Sequence, residues 1–409
     1  MMRRMVAAAA IVALAAVGAA PLSPARAQAT DDVVKVGVLT DMSSLYSDIN
    51  GQGAVVATQM AIDDMGGTVL GKKVELVQAD VQNKADVAVS TAGRWYDVDK
   101  VDVILGTGAS SSSIATMGVA GQKKKIYLAT DPASSDITGK LCNPYTVHWV
   151  YDTAALANGT GSAVVKAGGK QWFFLTADYA FGYALERDVT AVVKANGGEA
   201  IGSVRHPINS SDFSSFLLQA QGSKAQVIGL ANAGGDTINS IKQAAEFGIV
   251  KGGQKLAGLL VFVTDVHSIG LQLANGLFLT EAFYWDQNDK TRAFAKRFGE
   301  KRDGRMPTSI QAGFYSATKR YLEAVKEAGT DDSDKVMAAL KAKPFDDPVF
   351  GKSHIRADGR NVHDMYLFEV KQPGESKGPW DYYKPVRTIP GEEAFRPMEQ
   401  GECPLVKKG

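Results

Sequence analysis

The sequence is poor in cysteine and histidine and carries almost no net charge. Its 409 residues include two cysteines and five histidines, and 45 basic residues nearly balance 44 acidic ones, for a formal net charge of +1. This balance excludes the broad basic surface that nucleic-acid binding requires, so no nucleic-acid partner is expected. The histidines show no H-E-x-x-H or comparable spacing, so we predict neither a catalytic zinc site nor a cofactor.

Long apolar runs are also scarce, and the one present lies within the first 27 residues. Two arginines precede an Ala-rich apolar stretch from Met5 to Ala20, and Ala25-Arg26-Ala27 follows as an A-x-A cleavage site. The stretch is shorter than the ~20 residues of a membrane span, and no lipid-accepting cysteine follows the cleavage site. We therefore predict a signal peptide over residues 1–27, cleavage after Ala27, and a periplasmic mature protein that spans no membrane.

The two cysteines, Cys142 and Cys403, form an even pair in a chain predicted to reach an oxidising compartment. Such a pair indicates one disulfide rather than a metal site. The alternative is two buried free thiols. A disulfide would attach the C-terminal tail to the chain near residue 142.

The mature chain alternates regularly between strand and helix patterns. The first series predicts strands at 33–40, 72–79, 101–105 and 126–130, with helices at 53–65, 85–98 and 112–122. The second series predicts strands at 171–176, 199–205, 225–231 and 255–263, with helices at 154–168, 183–196, 212–221 and 236–248. The fold class is therefore α/β, with two Rossmann-like lobes that each contain a parallel sheet.

The pattern changes after a strand-like segment at 276–283. Three helices are predicted at 290–302, 309–329 and 333–342, with no strands between them. In the last 50 residues, 365–370 is the only firm strand prediction. We expect the three helices to pack onto one of the lobes.

The segment GTGASSSSIA, residues 106–115, supports two interpretations. Gly106, Gly108 and a small residue at Ser111 imitate a dinucleotide fingerprint, and Asp131 follows at roughly the distance of a ribose-binding acid. Against this, the fingerprint normally occupies the first βα turn, and no third glycine follows. The second interpretation is an anion site, because four serines begin a helix whose first N–H groups and dipole attract negative charge.

The anion interpretation is the better supported, since plain capping of the helix requires one serine and not four. Ser134 and Ser135, after the next strand, could supply further hydroxyl donors. A serine nucleophile is not expected, because the chain has no G-x-S-x-G elbow and only His267 lies near a matching strand end. The predicted ligand is a carboxylate, and no enzyme activity is predicted.

Several segments together resemble the Liv-type (leucine/isoleucine/valine-binding, type I) periplasmic solute-binding proteins of ABC transporters. They are VKVGVLTDMSSLYSDINGQGAVVATQMAIDD, the serines after VDVILG, LATDPASSDIT and FLTADYAFGYAL. The resemblance implies two lobes joined by a hinge of three crossings that close on a small ligand. It implies lobe 1 at 33–151 plus 284–362, lobe 2 at 152–283 plus 363–385, and a tail at 386–409 that returns to lobe 1.

The resemblance also implies a set of ligand-binding residues. Ser110 matches the carboxylate-binding serine of the family, Tyr46 an aromatic wall residue, and Phe181 a tyrosine of lobe 2 that closes over the ligand. The full set of candidates is Tyr46, Ser110, Ser111, Pro132, Ser134, Tyr179, Phe181, Asn232, Asp265 and Tyr284.

Two departures from the family pattern concern the ligand. Phe181 lacks the tyrosine hydroxyl, and Asp265 is slightly out of step with the acid that pairs the ammonium of an amino acid. A buried ammonium without a carboxylate partner is costly. We therefore expect a small carboxylate with an apolar or aromatic body, delivered by a monomeric receptor to an inner-membrane ABC permease. A branched-chain amino acid is the alternative ligand, and an exported enzyme is the alternative of a different class.

Overall fold

The structure, a computed structural model, describes residues 31–406, so the predicted signal peptide lies outside the described residues. Within residues 31–406, no helix has the length and apolar character that crossing a membrane requires. The described chain has an α/β fold of two lobes, as the sequence predicts.

Lobe 1 is built around a six-stranded sheet in the order β2-β3-β1-β4-β5-β6, in which only the pairing of β2 with β3 is antiparallel. Its strands are β1 Val33–Thr40, β2 Thr68–Val69, β3 Lys72–Asp80, β4 Val103–Gly106, β5 Ile126–Ala129 and β6 Thr146–His148. Its first helices are α1 Gly51–Asp64, α2 Ala85–Asp97 and α3 Ser110–Lys123. The strands β4 and β5 are fully buried because helices cover both faces of the sheet.

Lobe 2 is built around a parallel sheet in the order β10-β9-β7-β8. Its strands are β7 Gln171–Ala177, β8 Glu199–His206, β9 Val227–Ala231 and β10 Lys255–Gly258. Its helices are α4 Thr153–Leu156, α5 Ser162–Lys166, α6 Ala180–Ala195, α7 Ser214–Gly222, α8 Gly235–Glu246, α9 Val263–Ile269 and α10 Leu271–Ala274, with a π-helical turn at Ala157–Gly161 between α4 and α5.

The rest of the chain is shared between the lobes. Helices α11 Asp289–Glu300, α12 Ser309–Ala328 and α13 Ser333–Lys341 match the three predicted helices, and α12 packs against α1 of lobe 1. The remaining elements are β11 Phe278–Glu281, β12 Phe345–Asp347, β13 Gly351–Ile355, β14 Asn361–Val362, β15 Met365–Val370, β16 Tyr383–Ile389 and α14 Gly391–Ala394. The strands among them form two antiparallel sheets, β11-β15-β16 beside lobe 2 and β12-β13-β14.

The structure differs from the strand predictions at residues 255–263 and adds strands that were not predicted, namely β2, β6, β12, β13, β14 and β16. The strand predicted at 255–263 ends at Gly258, and Val263 already begins α9, because Asp265 accepts a hydrogen bond from the Phe262 N–H and caps that helix. The strand β16 was missed because its middle residues are exposed and include Pro385, which is typical of a sheet edge. The predicted domain boundaries stay predictions, and the one between residues 385 and 386 falls inside β16.

Cys142 and Cys403 form a disulfide, with their Cα atoms 5.6 Å apart, which confirms the predicted pairing. It attaches the C-terminal tail to lobe 1. The lobes also contact each other at the edge of the cleft, where Arg187 of α6 forms an ion pair with Asp136 at 3.0 Å. The Ser135 hydroxyl donates to Asp188 of the same helix at 2.7 Å. The two lobes are therefore closed against each other.

Candidate ligand-binding site

A cavity lies between the lobes, at the carboxyl ends of their parallel strands. This is the edge at which open α/β sheets bind ligands. The lining residues from lobe 1 are Tyr46, Ile49, Asn50, Gly108, Ala109, Ser110, Asp131, Pro132, Ala133, Tyr151 and Ile310. Lobe 2 contributes Tyr179, Phe181, Ala233, Leu260 and Phe262.

A tight turn between β4 and α3 places Ser110 at the cavity wall. Gly106, Thr107 and Gly108 all have positive φ angles, of 101°, 89° and 64°. A Cβ at Gly106 would lie 2.7 Å from the Leu39 carbonyl oxygen, so the close approach of the turn to β1 requires glycine. The two glycines therefore form the turn that leads into the start of α3.

Ser110 is buried and connects two strand ends. Its Oγ accepts hydrogen bonds from the backbone N–H groups of Ala133 and Ser134, at 3.3 and 3.2 Å. Because Oγ accepts in both bonds, the Ser110 hydroxyl proton remains free to donate into the cavity. Ser110 is also the first residue of α3, where backbone N–H groups lack partners within the helix. The position therefore combines a hydroxyl donor with a helix N-terminus.

Asp131 is the one carboxylate on the cavity wall among the described residues. Its Oδ2 accepts hydrogen bonds from the Thr40 hydroxyl and the Gly108 N–H, both at 2.6 Å. Burial raises the pKa of Asp131 to about 6, while these hydrogen bonds oppose the rise. The Asp131 carboxylate therefore holds the turn of residues 106–108, which is a structural role that the ribose interpretation did not anticipate.

Aromatic side chains from both lobes form the opposite part of the wall. The hydroxyls of Tyr46 in lobe 1 and Tyr179 in lobe 2 form a short hydrogen bond to each other. Burial raises the pKa of both the Tyr46 and the Tyr179 hydroxyl above the usual range, so both side chains are neutral. Phe181 lies beside Tyr179 with ring centroids 5.7 Å apart, and Tyr151 meets Phe262 edge to face at 5.9 Å.

The structure brings five of the ten predicted residues to the cavity: Tyr46, Ser110, Pro132, Tyr179 and Phe181. Ser111 and Ser134 are their neighbours but do not line it. The Ser134 Oγ accepts a hydrogen bond from the Asp136 N–H and caps the 3₁₀ turn Ser135–Thr138. The Ser134 Oγ therefore caps this turn, and the ligand contact predicted for Ser134 stays a prediction.

Three further predicted residues, Asn232, Asp265 and Tyr284, lie away from the cavity. Asp265 caps α9 and lines a separate surface depression at the cleft edge, because the chain becomes helical where a longer strand was expected. Asn232 is bonded to the side chains of His206, Thr237 and Ser240 inside lobe 2. The Tyr284 hydroxyl donates to the Trp380 carbonyl at 2.8 Å and accepts from the Tyr382 N–H at 3.0 Å, which places it in the core of lobe 2.

Several wall residues were missed by the sequence analysis. Asn50 follows the first strand, like Tyr46, and its position in a strand-end loop was an available signal. Ile310 comes from α12, and no local pattern connects that helix with the strand ends. Leu260 and Phe262 were assigned to a strand, although they belong to the loop after Gly258. Within residues 31–406 no cluster of side chains suited to a metal ion occurs.

The fold and the cavity between its lobes are those of a two-lobed binding protein for a small ligand. A family model described as periplasmic binding protein matches residues 33–378, and the chain belongs to that family. The proteins of this family that the chain resembles are binding proteins of ABC transporters, which supports a periplasmic location.

The chain is similar to several known proteins over most of its length. A crystal structure of a periplasmic binding protein from Burkholderia mallei is 55% identical, with a TM-score of 0.90, covering 92% of this chain and 100% of that one. A branched chain amino acid ABC transporter periplasmic ligand-binding protein from Burkholderia xenovorans is 44% identical, with a TM-score of 0.81, covering 91% and 99%.

Two further relatives are each 25% identical. One is a solute binding protein of an ABC transporter from Rhodopseudomonas palustris, solved in complex with 3,4-dihydroxybenzoic acid, with a TM-score of 0.79 and coverage of 88% and 98%. The other is a Leu/Ile/Val-binding protein homolog 6 from Brucella melitensis, aligned over 391 residues that cover 92% of this chain and 96% of that protein.

Proposed function

We propose that the protein captures a small carboxylate with an aromatic or otherwise apolar body and delivers it to an inner-membrane ABC permease. The observation that carries this proposal is the composition of the cavity wall. Neutral donors cluster at the start of α3, the rest of the wall is largely apolar, and no Lys, Arg or His side chain within residues 31–406 lines it. Such a site suits one negative charge attached to an apolar body.

Ser110 and the first turn of α3 would hold the ligand carboxylate. The hydroxyl proton of Ser110 and the unpaired N–H groups of that turn are hydrogen-bond donors, and the helix dipole favours an anion there. Phe181, Leu260 and Phe262 would cover the apolar body from lobe 2. We assign the ligand contacts to Tyr46, Ser110, Pro132, Tyr179 and Phe181, all of which line the cavity.

An α-ammonium group would find a poor partner in this cavity. Asp265, the acid expected to pair with it, lies outside the wall and caps α9. Asp131 already accepts two short hydrogen bonds on one oxygen. A branched-chain amino acid remains the alternative ligand, which the name of the Burkholderia xenovorans relative favours, whereas the Rhodopseudomonas palustris complex favours an aromatic acid.

Ligand capture would work by a shift between open and closed forms. A ligand that contacts Ser110 on lobe 1 and Phe181 on lobe 2 makes both sets of contacts only when the lobes are closed. The closed form would then be the one that the permease recognises. We further propose that residues 1–27 are removed in the periplasm and that the receptor is a monomer, to be checked by N-terminal sequencing and light scattering.

A thermal-shift and calorimetric screen tests the ligand class. The panel contains leucine, isoleucine and valine, their 2-keto acids, and benzoate and cinnamate derivatives. We expect aromatic acids to raise the melting temperature and the three amino acids to have little effect. Stabilisation by the amino acids alone would overturn the aromatic assignment, and chemical turnover of any panel compound would favour the exported-enzyme alternative.

A further inference from the structure

Two glycines of lobe 2, Gly234 and Gly235, lie against the loop of lobe 1 that carries Tyr46. They connect β9 with α8, directly after Ala233 of the cavity wall, and Gly235 is the first residue of α8. Both glycines line the same depression at the cleft edge as Leu45 of lobe 1. They are therefore part of the contact between the lobes.

Gly234 has no space for a side chain while the lobes are closed. A Cβ atom at this position would lie 2.8 Å from the Leu45 carbonyl oxygen and 3.0 Å from Cδ1 of Tyr46, both in lobe 1. These distances are well inside the ~3.5–4.0 Å optimum for a van der Waals contact. A side chain there would collide with the backbone of the opposite lobe.

The loop of lobe 1 is held in place on both sides of Leu45. The Asp41 carboxylate accepts hydrogen bonds from the Ser44 N–H at 2.9 Å and from the Tyr46 N–H at 2.8 Å. Because these bonds fix the Leu45 carbonyl, a side chain added at Gly234 would be accommodated by a wider gap between the lobes.

Gly235 is glycine at a position whose backbone does not require it. Unlike Gly234, with a φ of 57°, it does not have a positive φ angle. A Cβ atom there would lie 2.9 Å from Cδ1 of Leu45. The contact with lobe 1 therefore accounts for glycine at this position better than the fold of lobe 2 does.

We infer that Gly234 and Gly235 are positioning residues that set how closely the lobes approach when a ligand is captured. Without side chains, they let lobe 2 reach the loop that carries Tyr46. This approach brings the Tyr179 hydroxyl to Tyr46 and places Phe181 on the cavity wall. Neither glycine lines the cavity. The inference rests on the proposed capture by lobe closure and does not depend on the ligand class.

The test is Gly234→Ala in the full mature chain, titrated by calorimetry with leucine, benzoate and cinnamate as probes. The added Cβ should weaken every probe that the wild type binds, by about 5- to 150-fold, which is the range for an overpacked contact. Spin labels at Val98→Cys and Leu218→Cys, one exposed position in each lobe, measure the separation of the lobes. With saturating probe, this separation should be larger in Gly234→Ala than in the wild type.

Gly270→Ala is the matched control for backbone strain. Gly270 also precedes a helix of lobe 2 and has a positive φ, of 83°. A Cβ atom there would meet no described residue beyond its chain neighbours within 4 Å. This control should therefore keep the wild-type affinity and lobe separation, whatever it costs in stability.

Gly235→Ala tests the same contact without a positive φ, and it decides the question should Gly234→Ala fail to fold. It should weaken the probes less, by about 2- to 10-fold, because the Leu45 side chain can partly move aside. Leu45→Ala removes the atom that the new Cβ meets, so the double variant should bind more tightly than Gly235→Ala alone. A role confined to the fold of α8 would not produce this rescue.

The outcomes separate this inference from the proposed function. Wild-type affinity and lobe separation in Gly234→Ala, equal losses in Gly234→Ala and Gly270→Ala, or absence of the rescue by Leu45→Ala would overturn the inference while the proposed function stands. Failure of the wild type to bind any probe or to change its lobe separation would overturn the proposed function and this inference together.

Discussion

Asn50 and Ser110 of lobe 1 line the same cavity as Phe181 and Phe262 of lobe 2, but they offer it different chemistry. Lobe 1 supplies hydroxyl, amide and carboxylate groups, whereas lobe 2 supplies apolar surface and the single hydroxyl of Tyr179. The cause lies in the loops after the strands. In lobe 2 the polar groups that follow β9 and β10 bond within their own lobe, as Asn232 shows.

This chemical difference predicts different contributions of the two lobes to ligand recognition. On the proposed function, the polar groups that contact the ligand would lie in lobe 1, and closure of lobe 2 would remove water and add apolar contact. Polar contacts discriminate strongly between ligands because an unmatched buried group is costly, while an apolar wall tolerates related shapes. We therefore expect substitutions in lobe 1 to change which ligand binds, and substitutions in lobe 2 to change how firmly the lobes close.

The largest expected effect concerns the disulfide, which constrains lobe 1 and its tail only. Replacement of Cys142 and Cys403 by serine should lower the free energy of unfolding by about 2 to 5 kcal/mol, because the bridge closes a long loop in the unfolded chain. Denaturant unfolding measures this free energy. Wild-type protein with its disulfide reduced should have the same free energy of unfolding as the variant. Two titratable thiols in non-reducing denaturant would contradict the bridge.

The next effect concerns Asp265 in lobe 2, whose pKa burial raises from 3.8 to about 7. Because the folded state holds this proton more tightly than the unfolded state, stability from this group is full below about pH 4 and is lost as the pH rises through 7. Asp265→Asn keeps an acceptor for the Phe262 N–H and removes the charge. It should therefore stabilise the fold by about 2 to 4 kcal/mol at pH 8 and hardly at all at pH 4.

Chemical unfolding of Asp265→Asn and wild type at both pH values provides the measurement. Ligand affinity should not change, since Asp265 does not line the cavity. Loss of binding in this variant would instead make Asp265 an ammonium partner and would weaken the division between the lobes.

A smaller effect is the difference in ligand affinity expected between substitutions of Ser110 and Ser134 in lobe 1. Ser110→Ala should weaken carboxylate binding about 10- to 150-fold, since a hydrogen bond to a charged group contributes about 1.5 to 3 kcal/mol. It should also lower stability, because Ser110 Oγ accepts two backbone hydrogen bonds. Ser134→Ala is the control, and it should cost about 1 kcal/mol of stability with little change in affinity. Equal affinity in Ser110→Ala and wild type would refute the anion site.

The smallest effect concerns the hydrogen bond between Tyr46 and Tyr179, which joins the lobes. Tyr179→Phe should weaken all carboxylate ligands alike, by about 2- to 12-fold, because the lost bond stabilises closure and not one ligand. In a double-mutant cycle, Tyr46→Phe combined with Tyr179→Phe should lose less binding free energy than the sum of the losses in the two single variants. Selective loss of one ligand would show that Tyr179 discriminates between ligands, contrary to the role given to lobe 2.

The sequence by itself determined the repeated strand–helix order, the parallel sheets and the strand ends as the place of the cavity. These features follow from hydrophobic periodicity and from the geometry of parallel sheets, which short segments encode locally. It also limited an intramolecular disulfide to Cys142 with Cys403, because the chain has no other cysteine. The serine pattern also indicated that α3 begins within residues 110–113, although the helix itself was predicted only from residue 112.

Only the tertiary structure decided which strand-end side chains line the cavity. Asn50 and Ile310 lie far apart in the chain and become neighbours when α12 packs against α1, which no local pattern encodes. Asp265 does not line the cavity. The strand that was predicted to run to residue 263 ends at Gly258, and α9 begins at Val263. The direction of a side chain depends on turn geometry and on the closure of the lobes, and both are set by contacts between distant segments.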